Sequence, residues 1–243
     1  ETCLWKNVIS FLTEAASVKT ATPIFVERNE LRVRGKGLSE YKKGSNLIAP
    51  WEGGWWRLGD IVDYELSSTF SMLRTASMNR ERILQYRNDI CKKEYAKGLT
   101  QPPFYYVLPS EQNDRSELAR LVDLLIEHGV KVHKLADDVS VGNKLYRKND
   151  VVVTLAQPFR AFIKGVMELQ EYPERRYTPG GDIVRPYDIT SWSLPLVMGL
   201  KAFEVNTKSK AIEENIEKVE ILKFEPQTTT GSFMVLDAGS NES

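Results

Sequence analysis

At 243 residues the chain has room for one large domain or two modest ones, and 42% hydrophobic with 27% charged side chains excludes a disordered polymer. Lys plus Arg and Asp plus Glu both number 33, which excludes a net field that would draw the chain onto nucleic acid or acidic lipid. No apolar run is long enough to span a bilayer, and Cys3 and Cys91 are too far apart for a metal or redox spacing.

Residues 4–14 form the first apolar run and read as a core strand that delivers one carboxylate, Glu14. The small residues Ala15-Ala16-Ser17 follow and leave space around that carboxylate. Thr22 to Val26 is a short extended segment, and residues 27–60 are loop-rich, punctuated by glycine and proline. Three of the five tryptophans, Trp51, Trp55 and Trp56, lie between glycines here, where such residues lid a core or stack on a sugar or peptide. From Asp60 to about Lys97 the spacing predicts one continuous helical run, with Gly98 as its stop and Pro102-Pro103 just beyond. That stretch is the expected domain boundary.

Strand and helix then alternate. Phe104 to Leu108 reads as a strand, Asp114-Arg115-Ser116-Glu117 has the spacing of a capping box, and Leu118, Leu121, Val122 and Leu125 mark one helical face closed by Gly129. Val130 to Leu135 is a second strand and Asp150 to Leu155 a third, followed by a helix over residues 159–169. This alternation, with a nearly all-apolar third strand, predicts an α/β fold with a mainly parallel sheet and flanking helices. Residues 172–186 are turn-rich, 192–205 apolar, and 208–218 a charged, solvated helix face. Val107-Leu108 with Asn113-Asp114 is echoed by Val235-Leu236 with Asn241-Glu242, so residues 223–243 are expected to begin a further α/β unit or linker. The chain opens on an apolar run and closes on a strand and cap without a helix, the pattern expected of a piece of a larger protein.

Among chemical groups, Glu14 is the leading candidate. A carboxylate at the end of a rigid element, beside small residues and raised in proton affinity by burial, has the makings of a general base. His128 falls at the end of a helical pattern and His133 on the polar side of a strand, and neither has the spacing of a metal pair. No glycine-rich phosphate fingerprint accompanies the strands. Ser110 to Asn113 and Ala156-Gln157-Pro158 each follow a strand, and are expected to line the crevice beyond the strand C-termini of a parallel sheet. Gln157 otherwise satisfies loop backbone groups.

Asn7-Val8-Ile9-Ser10-Phe11-Leu12-Thr13-Glu14-Ala15-Ala16-Ser17 with Ala21-Thr22-Pro23 resembles the last catalytic strand of large bacterial zinc carboxypeptidases of the carboxypeptidase A type. Pro50-Trp51, Gly53-Gly54-Trp55-Trp56, Asp60-Ile61-Val62-Asp63-Tyr64 and Asn79-Arg80 are similar to the segments that follow in that family. Leu155-Ala156-Gln157-Pro158-Phe159-Arg160 and the run from Pro186 to Pro195 resemble its post-catalytic region, which carries class I glutamine amidotransferase-like α/β domains. The resemblance implies that residues 1–99 are the tail of a metallocarboxypeptidase-like catalytic domain, and residues 100–222 an accessory, Rossmann-like α/β domain. It places Glu14 on the family's catalytic glutamate. The family's His-x-x-Glu pair and later His have no counterpart in this chain, so zinc is expected in the full-length parent and no cofactor here. The implied partner is a peptide or amide substrate of the parent, with no nucleic acid and no membrane, and the implied location is extracellular or periplasmic. The alternative is a noncatalytic α/β module for substrate docking or protein interaction, built on the crevice after residues 104–108 and 151–155. Neither cysteine lies on the strand-to-helix turn that glutamine hydrolysis needs.

Overall fold

A computed structural model describes residues 2–32, 40–45, 47–171, 173–185 and 193–220. The chain divides into two compact units, one of residues 11–84 and one of residues 1–10 with 85–243. The expected second copy of the strand-and-cap pattern near residue 230, and residues 186–192 of the resembling run, lie outside the described residues.

The chain begins with a single helical turn, α1 (Thr2–Trp5). Residues 8–18 have neither helix nor strand geometry, so the expected core strand over residues 4–14 is not present. A strand needs a neighbour to receive its backbone hydrogen bonds, and no described segment pairs with this one. Its apolar side chains are exposed instead, Leu12 by 81% and Phe11 by 58%. In the unit of residues 11–84, β1 (Ile24–Val26) pairs antiparallel with β2 (Gly54–Trp56), Phe25 opposite Trp55. α2 (Leu58–Met78) follows, its start capped by Asp60, whose carboxylate accepts the Arg57 N–H at 2.7 Å.

The division between the units falls within α3 (Arg80–Thr100). The single helical run expected over residues 60–97 is two helices that part at Asn79. At Asn79 both the backbone N–H (3.1 Å) and the side-chain Nδ2 (2.8 Å) bond the Thr75 carbonyl, and this local competition ends α2 without proline or glycine. Gly98 is not a stop, since α3 runs through it to Thr100. A Cβ there would lie 2.1 Å from the Leu155 carbonyl oxygen, so the glycine exists for close packing.

The second unit is built on β3 (Tyr105–Leu108), α4 (Arg115–Glu127), β4 (Val132–Leu135), β5 (Val139–Val141), β6 (Lys144–Tyr146) and β7 (Val151–Thr154). α5 (Arg160–Met167), α6 (Leu194–Val197), β8 (Phe203–Val205), α7 (Lys210–Glu214) and β9 (Ile216–Val219) complete it. Five strands form one sheet in the order β8-β3-β7-β4-β9, and every neighbouring pair is antiparallel. The fold is a mixed α/β arrangement, and the mainly parallel sheet is corrected to an antiparallel one. β3-α4-β4 returns in the same direction, as the alternation implies, but β7 inserts between the two strands. The result is the interleaved, split βαβ plan of ferredoxin-like folds rather than a Rossmann-like one.

Both faces of this sheet are covered, which is why β3 and β7 read as continuous apolar runs without being parallel. On one face Tyr106, Leu108, Val132, Val151 and Val153 pack with Leu118, Leu121 and Leu125 of α4 and Phe162 and Ile163 of α5. On the other, Tyr105, Val107, Val152 and Leu135 meet Val139 and Tyr146 of the β5-β6 hairpin and Ile212 of α7. Each fully buried Leu or Val contributes on the order of 2 kcal/mol. Asp114 caps α4 by accepting from the N–H groups of Ser116 (2.9 Å) and Glu117 (3.2 Å). Gly129, at φ +82°, closes it: its own N–H bonds Ile126 and the Val130 N–H reaches back to Leu125.

Candidate functional site around Glu14

Two hydrogen bonds fix the segment that carries Glu14. On its N-terminal side Thr13 Oγ1 donates to Glu65 Oε2 of α2 at 2.5 Å. On its C-terminal side the Trp56 indole Nε1 donates to the Ala16 carbonyl at 2.7 Å. Glu14 lies between these anchors with its side chain exposed and without an ion pair or hydrogen bond among the described residues. The burial expected to raise its proton affinity is not found, because the strand that would have enclosed it is absent. The segment that carries it is held instead by Glu65, which has no expected role, and by Trp56, which is expected to lid a core or stack on a ligand rather than to anchor a loop. The signal available was a tryptophan on a two-stranded ribbon, whose N–H seeks an acceptor.

Trp56 is itself held by aromatic neighbours. Trp51 meets it edge-on with ring centroids 5.7 Å apart, and Tyr64 of α2 packs on it at 5.5 Å. Trp55, one residue earlier, points to the opposite side of the ribbon, as strand alternation requires, and meets Phe25 at 5.4 Å and the Arg57 guanidinium at 5.1 Å. The three tryptophans lid no core: every described side chain of residues 11–84 is exposed or half-buried.

Among the described residues, no three His, Cys, Asp or Glu side chains are grouped closely enough to hold a metal ion. His128 follows α4, with its ring 4.9 Å from Phe162 and its Nδ1 3.5 Å from Lys6 Nζ. His133 is on β4, where burial, with the Lys131 and Lys218 charges nearby, holds the imidazole below its ordinary range. Cys3 and Cys91 are free; Cys91 lies in α3 within reach of Arg87 and of Asn7 Nδ2.

The crevice expected after residues 104–108 and 151–155 is not formed. β3 and β7 are antiparallel, Tyr105 opposite Thr154 and Leu108 opposite Val151, so the two strand ends lie at opposite ends of the sheet. Ser110 instead donates from its N–H to the buried Asp150 at 2.9 Å. Gln157 is buried as a loop staple, accepting from the Lys131 N–H at 2.7 Å and donating to the Lys131 and Thr154 carbonyls. The adjoining Pro158 carbonyl accepts from Asn7 at 2.6 Å, and Arg160 Nη2 donates to the Pro102 carbonyl at 3.0 Å. The resembling stretch from Leu155 to Arg160 therefore ties the start of α5 to the residues just after α1 and just before β3.

Comparisons with protein-family models, with curated proteins and with solved structures find no match for this chain.

Proposed function

We propose that the chain is the C-terminal part of a metallocarboxypeptidase-like hydrolase in which Glu14 is the general base. The observation that carries this reading is the exposed Glu14 carboxylate, on a segment held on both sides by Thr13–Glu65 and Trp56–Ala16 and without an ion pair among the described residues. A base must sit on a positioned segment and keep its lone pairs available, and the anchored backbone with an unpaired carboxylate supports that role. In the proposed reaction Glu14 takes a proton from water attacking an amide carbonyl and delivers it to the departing amine. Zinc would be held by residues other than those described, and the isolated chain is not expected to hydrolyse peptides.

Burial supports the same reading. Apolar side chains on α2, such as Leu58 (50%), Phe70 (66%) and Met78 (72%), are exposed, as are Phe11, Leu12 and Phe25, and exposed apolar side chains in such number are expected where further polypeptide packs. Further polypeptide covering residues 11–84 would complete a catalytic domain. The antiparallel unit that follows acts in this reading as an accessory support. Replacing Glu14→Gln in the full-length parent should abolish turnover; retained hydrolysis would remove the assignment.

A further inference from the structure

The loops of the 11–84 unit enclose a cleft of about 220 Å³ that the Glu14 reading does not use. Its floor is Leu31, Tyr41, Pro50 and Trp51, each half-buried. Its rim carries Arg28, Lys42, Lys43 and Glu52, each exposed. Apolar side chains on the floor and charged groups on the rim offer a small ligand both kinds of contact.

Local bonds set the shape of the cleft. Tyr41 Oη donates to the Trp51 carbonyl at 2.9 Å and joins the two aromatic walls. A 3-10 turn at Arg28–Glu30, closed by the Glu27 N–H on Glu30 at 2.8 Å, presents Arg28. Gly53 has φ +93°, and a Cβ on it would lie 2.7 Å from the Val26 carbonyl oxygen. Only glycine allows that approach, and it brings the neighbouring Glu52 within 2.6 Å of Arg28.

The charges decide what fits. Arg28 is paired with Glu52, and Lys42 with Glu40, which lies next to the cleft. Lys43 has no ion pair among the described residues and is the surplus charge. A monoanion answers one surplus ammonium, whereas a dianion would crowd Glu52 and Glu40. The volume suits a single ring or short aliphatic chain against Trp51 and Tyr41. We propose that this cleft binds a small carboxylate carried on an aromatic or aliphatic body, its anionic end at Lys43 and its apolar body against Trp51.

The proposal goes beyond the hydrolase reading and is tested by binding alone. The full chain is titrated with phenylacetate, with its neutral isostere phenylacetamide and with inorganic phosphate. Binding is followed by tryptophan fluorescence and by the Trp51 indole N–H resonance, assigned through Trp51→Phe. Phenylacetate should shift that resonance saturably, and phenylacetamide should bind about tenfold more weakly, the value of one charge-assisted contact. Lys43→Gln should weaken phenylacetate to the level of the amide and leave the amide unchanged. Equal binding of acid and amide, an unchanged affinity in Lys43→Gln, a matching shift by phosphate, or no saturable shift at all would each overturn the proposal. Glu14→Gln should leave phenylacetate binding intact, so failure of the cleft and failure of the base assignment are read separately.

Discussion

Gly98→Ala places a methyl group where α3 has no room for one. The new Cβ would stand 2.1 Å from the Leu155 oxygen, 2.4 Å from its carbonyl carbon and 2.5 Å from Ala156 Cα. All three are backbone atoms of the turn leaving β7, so no rotamer change relieves the overlap. Moving the helix away by more than an ångström loosens the packed core, at a cost of roughly 3 kcal/mol by analogy with overpacked interiors. Alanine returns about 1 kcal/mol of helix propensity, leaving a net loss of about 2 kcal/mol. With a urea slope of about 2 kcal/mol/M, the midpoint should fall by about 1 M. Urea unfolding of the full chain, followed by far-UV circular dichroism, measures it. Gly165→Ala in α5 is the internal control, because a Cβ there meets nothing within 4 Å. It should raise stability by about 0.5–1 kcal/mol. A Gly98→Ala midpoint at or above that of the parent would refute the close-packing argument.

Asp114→Ala removes the acceptor for two helix N–H groups and should cost about 1 kcal/mol in the same unfolding assay, while Asp114→Asn should recover most of it. Burial, with Glu213 beside the hydroxyl, pushes the Tyr105 phenol up to about 12 from its ordinary 10. The unfolded chain therefore releases this proton first, and the stability Tyr105 contributes is complete below pH 10 and lost as pH rises through about 12. Tyr105→Phe should flatten that alkaline decline in a denaturation series across pH. Trp56→Phe keeps an aromatic ring and deletes the donor to Ala16, so in the full-length parent it should lower kcat by about tenfold with KM little changed. A pure rise in KM would show that Trp56 serves substrate binding instead.

The helices and caps of the second unit were legible because their signals are local. Asp114, Gly129 and the Leu118–Leu125 stripe act within a few residues of themselves, and the structure has them in the expected places. Strand order was not legible, because alternation of strand and helix fixes the direction of β4 relative to β3 but not that β7 inserts between them. The apolar run of β7 read as parallel because the hairpin and α7 bury its second face, a tertiary event. Gly98 read as a terminator for a related reason, since its packing partner Leu155 is far along the chain. At the candidate site, Glu14 and the tryptophans were visible as residue types. The anchors were not, because Thr13 with Glu65 and Ala16 with Trp56 are contacts across a loop of unpredictable path.

The central claim is that Glu14 transfers the proton during amide hydrolysis, and single-turnover kinetics of the full-length parent test it most directly. Glu14→Gln preserves size and removes the basic oxygen, so the chemical step should slow by about 10²–10⁴-fold while peptide binding, followed by fluorescence, is unchanged. A Glu14→Gln protein that cleaves at the parent rate, or one that loses binding and cleavage together, would contradict it.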